Sequence, residues 1–493
     1  MPTMPLSAES GGPPPLKPDI RARSRRSKGS SHPHPATDAA KPRETPSSSL
    51  ATVTGLCRFR DTSRTPQAVC SIPSTPSLAA FKNDIVICHL LLKLSMSSPE
   101  NFAHGDTTTI SAVLYSPNTT TAAYTSGLSV AEAFFGRLYK IDDMLHHSAH
   151  LYGQALQKLR EEMQDPSRSA DRAYANLWGC LFLGIYEMVS NSSPESWLAH
   201  SRGISTLTQM AGPQSFQTQS ARQMFEISRS FIAVGAIAQR SRSFLEQSVW
   251  KTTPWLLDSH TKSIGSMLQD VLCDIPGLME DADSIKSAAR QGQKSVHHQK
   301  DALRRKIQDI HHLANHLRLM WEEKNPLICW ESEPNKETSL SLDDQGQALF
   351  PTVLHFLRQD LAREAMNFNV VRLLLHSISD TAGLSMAFTS QYLAGQTPTG
   401  PFPNPLLAPG QGSREDHALD ICRTVDFLVL GEHGSHGALI LMFPLRVAFG
   451  HLEGRPDVRL WLQGLFTNIS TAKGFQIGEH VLQFSPATIK YSA

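Results

Sequence analysis

The sequence predicts an all-α protein: a multi-helix, α-solenoid-like array behind a disordered N-terminal arm. Three observations carry this expectation. Apolar residues recur at three- and four-residue spacing from Phe81 onward, the period of one helix face. Aromatics make up only 7% of the chain and β-branched alternation is rare, which argues against a sandwich or barrel. The first fifty residues hold 10 Pro, 9 Ser and 3 Gly, and the first aromatic is Phe59, so this stretch cannot bury enough apolar area to offset its ordering entropy. The expected division is an arm over 1–75 and a helical domain over 76–493.

The chain has 493 residues, of which 40% are hydrophobic, enough for a large core. Lys and Arg number 46 against 45 Asp and Glu, a net charge of +1, which excludes a globally basic or acidic binder and leaves any charged contact to a local patch. One such patch lies in the arm: Arg21, Arg23, Arg25, Arg26 and Lys28. It reads as a nuclear import signal, a phosphate-contacting arm or an ordinary solvated tail. Seven scattered cysteines without any CxxC pair predict reduced, mostly buried thiols and neither a disulfide scaffold nor a cysteine-rich zinc site. No apolar run reaches about 18 residues, so no membrane-spanning helix is expected, and the Pro-rich start has no signal-peptide core.

Phe81, Ile85, Val86, Leu90, Leu91 and Leu94 predict the first helix, followed by a polar loop around Asn101–Thr109. Helices are then expected over Leu128–Leu138 and His147–Met163, the latter stopped by Asp165-Pro166. Ala173–Val189 is apolar nearly all round and should be central. Ser193 as N-cap, Pro194 at the first helical position and Glu195 in the first turn mark the next start, and Gly212-Pro213 its end. Another helix is expected over Ser220–Gln239, and a Trp/Pro stretch with Trp250, Pro254 and Trp255 follows. Leu303, Ile307, Ile310, Ala314, Leu317 and Trp321 form an a/d repeat. It could seam a homodimer, although such a stripe is more often the core face of one helix in an array. Asn325–Leu342 reads as a polar loop, Leu349–Ser379 as a long helix or pair, and Gln396–Gln411 as a flexible Pro/Gly-rich linker. Three closing helices are expected over His417–Leu430, Ala438–Phe449 and Val458–Asn468.

Reactive patterns are weak. His146 and His150 in HHSAH, with His147 between them, and His312 and His316 in HHLANH could each pair on a metal one turn apart, but neither has the glutamate of HExxH. Solvated or locally bonded histidines are the commoner outcome. His433 and His436 lie in GEHGSHG, whose GxxGxxG spacing does not fit a dinucleotide loop, so a glycine-rich interhelical loop is expected. The pairs Asp142-Asp143 and Asp343-Asp344 lack the remaining carboxylates of a magnesium-binding DDxxD set. No GxSxG or GxxxxGK[ST] is present, and the chain is not expected to be an enzyme or to need a cofactor or metal.

Several blocks carry a family likeness: Ala131–Pro166, with FFG and LYGQAL; Leu177–Pro213, with YEM, SPESWLAHSRGI and a closing GP; Arg242–Trp250, RSFLEQSVW; and Ile421–Phe449. Over about 56–485 the chain resembles the regulatory domain of fungal zinc-cluster transcription factors. The resemblance implies an all-helical regulatory domain acting in the nucleus, often on genes of secondary metabolism. Family members begin with six cysteines that hold two zinc ions and place a helix in the major groove. Here GLCRFRDTSR (Gly55–Arg64) resembles the segment that follows that module, with Cys57 where the last ligand would stand, and the module itself is missing. Direct sequence-specific DNA binding is therefore not expected of this chain, unless an upstream exon supplies the cysteines. The expected partners are proteins of the transcription machinery or a DNA-binding partner. A small apolar ligand could enter a groove between helices, with Trp178, Tyr186 and Trp197 lining a pocket or simply filling the core. The alternative function is a non-DNA-binding helical scaffold or small-molecule sensor in the cytoplasm.

Overall fold

The computed structural model describes residues 81–94, 109–164, 170–190, 193, 195–293, 296–326, 328–385, 404–431 and 434–483, all within one unit spanning 75–493. The arm with its basic cluster, Gly55–Arg64, Pro166, Pro194, His433 and the first part of the Gln396–Gln411 stretch lie outside these residues.

Apart from one short hairpin, the described elements are helical: α1 (Lys82–Leu94), α2 (Thr109–Leu114), α3 (Ala122–Tyr139), α4 (Asp142–Gln164), α5 (Ala170–Ser190), α6 (Ser196–Ala211), α7 (Gln219–Gln239), α8 (Ser248–Thr252), α9 (Ile264–Arg290), α10 (Val296–Lys324), α11 (Gln359–Ala382), α12 (Arg414–Cys422), α13 (Val425–Val429), α14 (Gly434–Phe449) and α15 (Pro456–Lys473). The expected all-α array is what the chain forms. Consecutive helices pack on one another: α3 on α4, α5 on α6, α6 on α7, α9 on α10. Among the described elements, late ones pack on early ones: α1 lies against α14, and the turn Gln476–Glu479 lies against α5.

Local chemistry sets the starts. Thr121, Thr218 and Ser263 cap α3, α7 and α9 by accepting from the backbone N–H three residues on, and Ser413 with Asp416 forms a reciprocal capping box on α12. The start of α6 differs from the expectation. It opens at Ser196 behind Glu195, whose backbone is already near-helical, so Ser193 is not the cap. The Ser193 carbonyl instead accepts from Ser196 N at 3.1 Å, and the two hydroxyls lie 2.9 Å apart. Gly212, at φ 78°, ends α6 as expected, and Pro213 opens a 3-10 turn that buries Phe216.

Two helices are central. Leu177, Leu181, Phe182 and Leu183 on α5 are buried, as the all-round apolar sequence requires. The other is α11, with Leu361, Met366, Val370, Leu374 and Ile378 buried on several sides, packed by α9, α10, α12 and α14. The a/d repeat on α10 is spent inside the chain: Leu303, Ile307, Ala314, Leu317 and Trp321 are buried and Ile310 half-buried, facing α9 and α11.

Three expectations need correction. Helix α9, 27 residues long, has no counterpart in the sequence reading. Pro276 and Gly277 interrupt its pattern, yet Leu268, Val271, Leu272, Ile275, Leu278, Met279 and Ala282 keep one face buried through them. The expected loop Asn325–Leu342 and the expected helix from Leu349 instead contribute an antiparallel hairpin of β1 (Cys329–Ser332) and β2 (Val353–Phe356), with Cys329 opposite Phe356 and Trp330 stacked on His355 at 5.7 Å. Val353-Leu354-His355-Phe356 follows Pro351 and is rich in strand formers, and Leu354 N donates to the Arg423 carbonyl at 2.9 Å, so tertiary contact completes the strand. The Gly-rich segment is not a loop throughout: Gly434 and Gly437 lie in the first turn of α14. A Cβ on Gly437 would collide with the Leu428 backbone carbonyl, so glycine permits α13 and α14 to approach this closely.

Candidate functional site

Side chains from α10, α11 and α12 and the stretch Leu407–Gly410 converge on a cleft. It is a half-open cleft with an empty volume of about 390 Å³, the solvent at its mouth included. His311, Arg318, Asn369, Arg372 and His417 line it, each no more than 6% exposed. Phe368, Val371 and Leu375 supply the apolar wall.

Helical spacing accounts for the convergence. Asn369 and Arg372 are three residues apart on α11, and His311, Asn315 and Arg318 occupy successive turns of one α10 face. Arg372 donates to His311 Nε2, and Asn315 Nδ2 lies 3.1 Å from the same nitrogen. A guanidinium can only donate, so Nε2 is the acceptor in this arrangement. His417 Nδ1 bonds Asn369 Oδ1 at 2.9 Å. Arg318 pairs with Glu322 at 2.8 Å, donates to the Leu407 carbonyl at 3.3 Å and lies over the Trp321 and Phe368 rings at 5.2 and 5.6 Å.

Burial dominates the electrostatics. It lowers Arg372 to about 10. It lowers His417 to about 4, with Arg372 and Arg318 acting in the same direction and Asp416 against. Half-buried His376, one turn beyond Arg372, is held down to about 3 by burial, Arg414 and Arg372. Among the residues lining the cleft, every ionisable side chain is basic.

Sequence reading missed this group. An arginine inside the apolar run Val370–Leu375 is the signal that could have found it, because a charge in such a run must be buried with partners or mark a site. The sites it did mark are dispersed. His146 Nδ1 bonds the Asp142 carbonyl, His147 Nδ1 pairs with the buried Glu132 carboxylate at 2.5 Å, and His150 bonds Gln154. Asp142 and Asp143 lie in the first turn of α4, where the helix dipole favours them. Asp343 accepts from the Gln345 and Gln347 amides in a turn. His312 and His316 are exposed, and His436 Nδ1 bonds Gln359 Oε1 at 3.1 Å. Among the described residues no group of three or more His, Cys, Asp or Glu is placed to hold a metal ion, and no helix is long and apolar enough to cross a membrane. Of the described cysteines Cys180, Cys273, Cys329 and Cys422 are buried and Cys88 is exposed.

Trp178, Tyr186 and Trp197 are buried at 5%, 5% and 9% exposure. Trp178 packs on Phe182 at 5.7 Å, and Tyr186 stacks on Tyr152 at 4.3 Å. The Tyr152 hydroxyl donates to Glu187 at 2.6 Å and lies 3.0 Å from His200 Nε2, tying α4, α5 and α6 together. None of the three aromatics lines the cleft at Arg372.

The helices α3 to α7 and this polar network carry the blocks in which the likeness was strongest. Residues 69–252 match the fungal specific transcription factor domain. The resemblance read from FFG, YEM and SPESW is thereby shown over this part of the chain. An uncharacterized protein of Emericella nidulans is 30% identical over 120 residues, which cover 24% of this chain and 25% of that relative. No solved structure matches the chain. The domain match supports a role in transcription regulation.

Proposed function

We propose that the protein is a transcription regulator of fungal zinc-cluster type that acts in the nucleus through its helical regulatory unit, and that it controls a secondary-metabolite biosynthetic gene cluster. The observation that carries this reading is the domain match over 69–252. The packing supports it: helices pair face to face, and the clefts and outer faces between them suit a partner helix or a small ligand. Occupancy of such a cleft would shift the balance between two packings and so change which surface is presented. In this reading the protein recognises components of the transcription machinery or a DNA-binding partner, catalyses no reaction, and uses Arg21, Arg23, Arg25, Arg26 and Lys28 for import or phosphate contact. Trp178, Tyr186 and Trp197 shape the core around which any apolar ligand would have to fit.

Deletion of the gene, with transcripts of neighbouring genes measured, tests the regulatory role: altered levels are expected, and unchanged levels overturn it. A fluorescent fusion tests the location. Nuclear signal that is lost when Arg23, Arg25 and Arg26 become Ala is expected, and a fusion that stays cytoplasmic regardless favours a scaffold or sensor.

A further inference from the structure

We draw no further inference here: the strongest candidate, the solvent-facing apolar stripe of α1 formed by Ile85, Cys88 and Leu92 with Phe81 just ahead of the helix and Tyr115 beside it, carries nothing because nothing among the described residues shows what covers it.

Discussion

Acidification should destabilise the helical unit, and His417 should account for a measurable part of the loss. The imidazole is buried on α12 with Nδ1 on Asn369, and it faces Arg372 and Arg318 with Asp416 nearby on its own helix. Its ordinary value of 6.5 is lowered to about 4 in the folded chain. The folded state therefore binds fewer protons than the unfolded chain between these values, so stability is fully present above 6.5 and is lost as pH falls toward 4. Each pH unit inside that window costs about 1.4 kcal/mol, so going from about pH 7.5 to about pH 5 should remove roughly 2 kcal/mol through this group. His376, lowered to about 3 by burial and the adjoining arginines, acts in the same direction. The assay is urea unfolding of wild type and His417→Gln at a series of pH values, with the slope m checked for constancy. Gln cannot titrate, so the stability difference between the two pH extremes should shrink by roughly 2 kcal/mol in the variant, whatever its stability at neutral pH. An unchanged pH dependence in His417→Gln, or a wild type that gains stability on acidification, refutes the argument.

Three further predictions follow from packing and backbone geometry. Phe225 is fully buried, 5.1 Å from the Phe216 ring and within 6.0 Å of Trp250 and Trp255; Phe225→Ala should cost about 3–5 kcal/mol in chemical denaturation, and a cost below about 1 kcal/mol would show that the cluster is dispensable. Lys140 is exposed and ends α3 in the left-handed region at φ 55°; Lys140→Gly should stabilise the protein by about 0.5–1 kcal/mol, seen as a higher denaturation midpoint. Gly437→Ala should destabilise by about 1–3 kcal/mol, because the new methyl meets the Leu428 carbonyl and the helix must move; a melting temperature equal to wild type would contradict that close approach.

Much of the architecture was legible because period-3.6 patterns are local. The stripe from Leu303 to Trp321, the all-round apolar run at Leu177–Leu183 and the Gly212-Pro213 stop all emerge where expected. Elements whose formation depends on distant partners were harder to see. Helix α9 keeps its apolar face across Pro276 because α10 and α11 cover it, and the pairing of Cys329–Ser332 with Val353–Phe356 spans an irregular connection that Asp426 anchors by accepting from Leu340 N at 2.9 Å. The hairpin sequence is too short to declare itself by alternation alone.

By itself the sequence determined that this chain would be helical, which stripes would turn inward, and which blocks carry the regulatory-domain likeness, since each depends on residues within a few turns of one another. Only the tertiary structure decided which polar side chains meet. His311, Arg372 and His417 are separated by 61 and 45 positions along the chain (372 − 311; 417 − 372), and only the packing of α10, α11 and α12 brings them to one cleft. No local pattern encodes such a meeting, because the electrostatic environment of a buried charge is set by whichever helices cover it.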